Sequence, residues 1–550
     1  MKVILHKIGL SVVLLLGLNG VYAQSDIVSA IQTEVDRNRA SLKMEGMLPP
    51  FFIEYSIHEQ HNFTIAATLG SISSVEESHR RYGVPMVLVG DYMRNNLNIS
   101  GARQLQPENT SLFTASGIPI TIWKDLDKAY KSAVEQYKTK MAIMKQQTQD
   151  EDESNLPDFE QIEPVEILVQ PSVPKFDRGY WEKYLCLASE AAKQYPDVIT
   201  SNVMLQTQSI TTYTYNTEGS RYIVPSPFFH RLRFTLSARA KDGQDIALSF
   251  FIDYPTFEQM PDVESFTHQC KEAMESLMQL IEAPVVEDAY NGPVLMEGSA
   301  VDALFRQTIL NSLSAAPRQI QQSNSLVFNL FGSQRANLEP MLNKKVVHRS
   351  FDVKAITGQE FYKGERLSGY YPVDAQGVAP DKELTLIENG VLRQLLNGRQ
   401  PTKRIPNSNG HARFSIANGG TQVLPGNIII TSSQTFSVEE LRNKLIEAAK
   451  EEDLDYAYII RGGNHQGLTL MYKIYVADGR EELVRGAVTS NLNLKTLKRI
   501  LGVSNEEQIV NNANTTLITP RALLLEDVDV NRASNIQFKK PFIVSKPSVR

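Results

Sequence analysis

Apolar residues recur along this chain with two periods, and the switches between them divide it into elements. Ile27, Ile31 and Val35, with Glu34, Asp36 and Arg37 between them, have helical spacing, and Met47-Leu48-Pro49-Pro50 stops the run. Phe51 to Ile57 reads as a strand, and Ile65 to Ser71, Val84 to Val89 and Leu97 to Ile99 continue an antiparallel pattern. Trp123 to Lys145 is a long helix, with Leu126, Tyr130, Val134, Tyr137, Met141 and Met144 three or four positions apart. The polar, acidic stretch 146–157 reads as a solvated excursion. A helix over Tyr180 to Gln194 follows, then strand-like runs Val198–Ser209, Thr211–Asn216, Arg231–Ala240 and Ile246–Tyr254, and a helix from Pro261 to Ile281. Helices laid on an antiparallel sheet make an α+β domain.

Ala283-Pro284 and the acidic Glu287-Asp288 mark a boundary, giving an N-terminal domain over 24–285 and a C-terminal one over 286–550. The second domain opens with a strand into a turn at 291–298, a helix from Ala300 to Ser314, and a less regular stretch from Ser323 to Phe331. From Val346 onward short strands alternate with Gly, Pro and Asn turns. One helix interrupts them at Val438 to Lys450, where Ser437 and Glu440 form a capping box. This domain is therefore mostly β, a curved sheet or open barrel with few helices.

The first residues carry a different signal. Lys2 and Lys7 precede an apolar run from Ile8 to Leu18, and Val21-Tyr22-Ala23 comes before Gln24. That pattern is a secretory signal peptide over 1–23 with cleavage near Ala23, and it implies a periplasmic or secreted protein. The run is too short to span a bilayer, which needs about 20 apolar residues, so no membrane span is expected after cleavage. With 42% hydrophobic and 21% charged residues the remainder is globular, and a net charge of -6 gives no general attraction to nucleic acid. Cys186 and Cys270 are the two cysteines; an exported protein could bridge them, or keep two thiols.

The most informative stretch runs from Gly369 to Arg404. Asn389-Gly390 tolerates positive φ at both positions, as a two-residue type I′ turn requires, so Leu384–Ile387 and the run through Val391, Leu392, Leu395 and Leu396 can pair as a hairpin. Asp374, Gly377, Val378 and Pro380, then Glu388-Asn389-Gly390-Val391-Leu392, resemble the C-terminal domain of the TldD/PmbA family, metallopeptidase-like proteins once described as modulators of DNA gyrase. The segments 408–413, 425–428, 483–487 and 520–524 follow in the family's order. Residues 289–547 carry the resemblance well, and Phe51–Tyr55 with Val89–Tyr92 carry it more loosely.

That resemblance implies zinc chemistry, and here the sequence departs from it. Catalytic members carry His-Glu-x-x-x-His on the helix after the first strand of this domain, and a later cysteine completes the zinc site. No histidine or glutamate lies between Ser299 and Asn324, and Asn511 to Thr516 contains no cysteine. The chain thus resembles the family's metal-free branch, which pairs with a metal-bearing TldD-type subunit. Catalytic residues and metal ligands are expected to be absent, with zinc in the partner and peptide as substrate. A homodimer is the other assembly left open. Asp374, Asn389, Arg393, Arg399, Arg404 and His411 are the candidate peptide-lining residues, with Arg399 and Arg404 expected to be exposed, although Asp374 and Asn389 also suit plain turns. Two alternatives remain: a metallopeptidase with a rearranged site built from His348, His411 or His465, and a solitary envelope binding protein. The pair His58 and His61 invites a zinc reading too, but helical zinc motifs place histidines at i and i+4, and this segment lies between strand-like runs.

Overall fold

The computed structural model describes residues 27–99, 117–146, 155–171, 176–225, 229–317, 319–320, 338–415, 420–463, 466–534 and 536–539. The signal peptide, most of the acidic excursion, the 323–331 stretch and His465 lie outside the described residues. The chain is α+β, and its C-terminal region contains a curled half-barrel sheet. No described helix is long and apolar enough to cross a membrane.

The N-terminal domain is built on one seven-stranded sheet of order β2-β1-β4-β5-β3, with β6 and β7 continuing from β4. Its strands are β1 (Pro50–Thr68), β2 (Ser71–Val89), β3 (Glu166–Leu168), β4 (Val198–Asn216), β5 (Arg221–Pro225), β6 (Phe229–Arg239) and β7 (Asp245–Tyr254). Helix α1 over 27–41 and helix α2 (Ile118–Gln146) cover one end, where Ile31, Val35, Ile122, Leu126 and Tyr130 meet Ile53, Tyr55 and Ile57 of β1. Helices α3 (Arg178–Glu190) and α4 (Val263–Glu282) cover the other, packing Trp181, Leu185, Cys270 and Leu277 on Ile65, Val203, Leu232 and Phe250.

Several sequence expectations change here. β1 is continuous over 19 residues, about 60 Å at strand rise, so His58 to His61 sit inside it. The polar run has partners other than the helical core: buried His58 stacks on Phe414 at 3.8 Å, while Glu59 and His61 face the other way, half-buried, beside His79. β4 likewise runs through without a break at Ile210. Leu97 to Ile99 form no strand beyond one bridge from Ile99 to Ile320. Cys186 and Cys270 sit on α3 and α4 as free thiols, so the bridge is not made.

The C-terminal domain has two main sheets. The first, of order β13-β12-β9-β16-β23-β22, comprises β9 (Phe351–Ala355), β12 (Leu384–Glu388), β13 (Val391–Leu392), β16 (Asn427–Ser432), β22 (Glu507–Asn512) and β23 (Thr515–Pro520). The second, of order β19-β18-β17-β8-β24-β20 with β21 on β24, comprises β8 (Tyr290–Glu297), β17 (Tyr456–Gly462), β18 (Thr469–Tyr475), β19 (Glu481–Val484), β20 (Ala487–Ser490), β21 (Ile500–Val503) and β24 (Ala522–Arg532). Two ribbons complete it, β10 (Phe361–Tyr362) with β11 (Glu365–Arg366), and β14 (Ala412–Ser415) with β15 (Gly420–Val423). Helix α5 (Ser299–Thr308) packs Val301, Leu304 and Phe305 between the sheets. It stops short of Ser314, passing into a 3-10 turn over Leu310–Ser312. Helix α6 (Val438–Glu451) has the expected capping box, with Ser437 Oγ accepting from Glu440 N and Glu440 Oε2 from Ser437 N.

Candidate functional site at the domain junction

The stretch singled out in the sequence lies partly in the seam between the domains. Asp374 opens a turn whose next residues bend back: its Oδ1 accepts from the Gln376 and Val378 amides at 2.9 Å, and its Oδ2 from the Ala412 amide at 2.9 Å. Burial raises its carboxyl to about 6. Gln376 passes the link on, since its Oε1 accepts from Arg399 N at 2.8 Å.

Arg399 is fully buried, which corrects the expectation of exposure. Its guanidinium donates to Glu160 O at 2.6 and 2.9 Å and to Glu218 Oε1 at 2.7 Å, both in the N-terminal domain. It also lies over the Phe159 ring at 4.1 Å, so the cation is met on its edge by acceptors and on its face by an aromatic. Tyr92 donates its hydroxyl to the same Glu218 oxygen, and Glu160 Oε2 accepts from Ser408 N. Nearby, Glu54 accepts from Asn216 Nδ2 at 3.2 Å, and burial raises its carboxyl to about 7. Four acids and one arginine thus share the seam. One of the acids takes up its proton near neutrality.

His411 belongs to this framework as a structural residue. Its Nδ1 meets Asn409 O at 2.8 Å, its Nε2 meets Thr357 Oγ1 at 3.1 Å, and burial lowers it to about 4, so the ring is neutral. The remaining candidates form a separate, exposed group. Asn389 and Gly390 take φ of +49° and +76°, the expected hairpin turn, and the Asn389 amide donates to Asp352 Oδ1 at 2.6 Å. Arg393 pairs with Glu388 at 3.1 Å and Arg404 N donates to Glu339 Oε1 at 2.7 Å. The hairpin is shorter than its apolar run because the Arg393 and Gln394 amides both donate to Leu386 O, which ends the ladder and turns Leu395 and Leu396 into the core. So the fold joins Asp374, Arg399 and His411 in one buried network and leaves Asn389, Arg393 and Arg404 at the surface. Glu54, Glu160 and Glu218 were missed, since only tertiary contact distinguishes them from other acids.

Residues 289–532 match the profile of the PmbA/TldA metallopeptidase C-terminal domain. Over these residues the chain carries a C-terminal domain of the PmbA/TldA metallopeptidase type. Solved structures of similar fold include a candidate modulator of a DNA gyrase from Thermotoga maritima MSB8, at 18% identity and TM-score 0.60, covering 91% of this chain and 100% of that one. TldE from Thermococcus kodakarensis aligns at 14% identity and TM-score 0.56, covering 91% and 99%. A candidate modulator of DNA gyrase from Bacteroides thetaiotaomicron VPI-5482 aligns at 10% identity and TM-score 0.55, covering 92% and 98%. At these identities the likeness is one of fold. No curated protein matches the sequence.

The TldD/PmbA resemblance implies a zinc site on α5, and the residues present there do not fit one. Gly298, at φ +59°, starts the helix where an added Cβ would lie 2.0 Å from Gly462 O, so the close approach of helix and strand is kept. Four residues later comes Asp302, buried, with both oxygens accepting from Arg306 Nε at 3.0 and 2.8 Å. Arg306 Nη2 donates to Val510 O on β22, next to the segment where the family places its cysteine. A guanidinium therefore fills the space between helix and strand. It repels a divalent ion, the acid beside it is already paired, and the helix carries no imidazole to outweigh that charge. His348 and His411, the alternatives, do not join any metal-binding group among the described residues; His348 Nδ1 is bonded to Ser350 Oγ at 2.9 Å.

Proposed function

We propose that this chain is the subunit without the catalytic zinc in an exported, heteromeric TldD/PmbA-type peptidase, binding peptide and holding it beside the zinc of a TldD-type partner. The observation that carries the reading is the Asp302–Arg306 pair reaching Val510, because a cation on this helix opposes the zinc that the resemblance implies there. Export rests on the basic and apolar pattern of the first residues. The peptide joins as an extended strand on an exposed sheet edge, where backbone bonds give affinity that tolerates many sequences. Arg393 and Arg404, at the surface, suit a peptide's carboxylates; Arg399, Asp374 and His411 hold the seam behind them.

A mixing assay tests this. The purified chain alone should cleave no peptide above background, with or without added zinc, and should raise cleavage by a cognate subunit carrying His-Glu-x-x-x-His. Chelator-sensitive cleavage by this chain alone would refute the reading. Failure to affect the partner would instead favour a solitary binding role.

A further inference from the structure

The face of β1 that carries Ile53, Tyr55 and Ile57 under α1 and α2, and Ile65 and Ala67 under α3 and α4, should by strand alternation be apolar throughout. Between those two helical layers it is not. Glu59 and His61 occupy the intervening positions, and the register with β2 sets Arg81 opposite Glu59 and His79 opposite His61. Placing two imidazoles directly across a ladder and a carboxylate two residues along the same strand points three metal-binding side chains into one spot. One ligand atom from each of Glu59, His61 and His79 can be chosen so that all lie within 4.8 Å of one another.

We propose that Glu59, His61 and His79 form a binding site for a divalent first-row ion, with zinc the best fit to two imidazoles and one carboxylate. Three protein ligands leave the fourth position of a tetrahedral ion to water or to an incoming ligand. Without metal, the His61 and His79 rings stack at 4.0 Å, and His79 Nε2 donates to Glu59 Oε1 at 2.8 Å. The third contact of the carboxylate fixes its direction, because Glu59 Oε2 accepts from Tyr213 OH at 3.0 Å. Arg81 opposes binding: it donates to Glu59 Oε1 at 2.8 Å and brings its own positive charge. Its presence makes the site one of moderate affinity. The ion would pin β2, the outer strand of this sheet, to β1.

Zinc titration calorimetry on the untagged full chain at pH 7.5 tests the site, with a shared melting temperature in the absence of metal showing that each variant folds. One zinc should bind per chain and raise the melting temperature. His61→Ala and His79→Ala should each weaken binding at least about tenfold. His268→Ala, on exposed α4 surface, should leave it unchanged. Arg81→Ala should tighten it, since removing the guanidinium frees Glu59. No saturable zinc uptake by the wild-type chain overturns the site, as does uptake that both histidine variants retain. Weaker binding by Arg81→Ala overturns the assignment of Glu59.

Discussion

Arg399 and Arg404 stand five residues apart in one basic segment, and the fold gives them opposite fates. Arg399 is sealed between domains with Glu218, Glu160 and Phe159 around it, whereas Arg404 lies at the surface beside Glu339. The difference is one of dielectric. The same charge is worth several kcal/mol of context in the seam and close to nothing in water. One end of the motif stretch therefore ties the C-terminal half to Glu160 and Glu218, and the other stays at the surface.

The comparison breaks first at Arg399. Arg399→Ala strands Glu218 in the seam and should cost about 3–5 kcal/mol, the range for removing one partner of a buried pair, measured by urea denaturation. A double-mutant cycle with Glu218→Gln should show strong coupling. A loss under 1 kcal/mol would show the seam to be wet.

Glu54 sharpens the same region through pH. Its folded carboxyl is raised to about 7 against an ordinary 4.5, so the folded state binds more protons than the unfolded between those values. Its contribution is complete below about pH 4.5 and is lost as pH rises through 7. Glu54→Gln should match wild type near pH 4 and exceed it by roughly 1–3 kcal/mol at pH 8. A difference that does not change with pH would contradict burial as the cause. His411, lowered to about 4, works in the opposite sense, with stability present above its unfolded value of 6.5 and lost as pH falls toward 4. The Glu54→Gln comparison cancels that term.

At the exposed end, Gly390→Val places a Cβ 2.7 Å from the carbonyl oxygens of Val347 and His348 at a φ of +76°. It should cost about 2 kcal/mol, read as a lowered melting temperature. Arg404→Glu is the smallest: stability should shift by less than about 0.5 kcal/mol, while stimulation of the partner subunit falls. Equal effects of charge reversal at Arg404 and truncation at Arg399 on folding would erase the contrast.

What the sequence made legible was local. The Asn389-Gly390 turn, the Ser437 and Glu440 capping box and the long helix at Ile118–Gln146 each announce themselves through neighbours in the chain. Asp302 and Arg306 are equally readable as an i,i+4 pair. The burial of Arg399 was not legible, because Glu218 lies 181 positions away. Nor was the continuity of β1, whose polar centre is explained by Phe414 on one face and by His79 and Arg81 on the other. Side chains that answer to the second domain, or to a gap between helical layers, look like loop residues until the fold supplies their partners.

The role proposed for this chain depends most on helix α5 holding no metal. Zinc content of the His61→Ala, His79→Ala double variant after dialysis tests it directly, since both imidazoles of the β1–β2 site are removed and α5 is intact. No zinc above the buffer blank is expected; one zinc retained per chain would show that α5 binds metal.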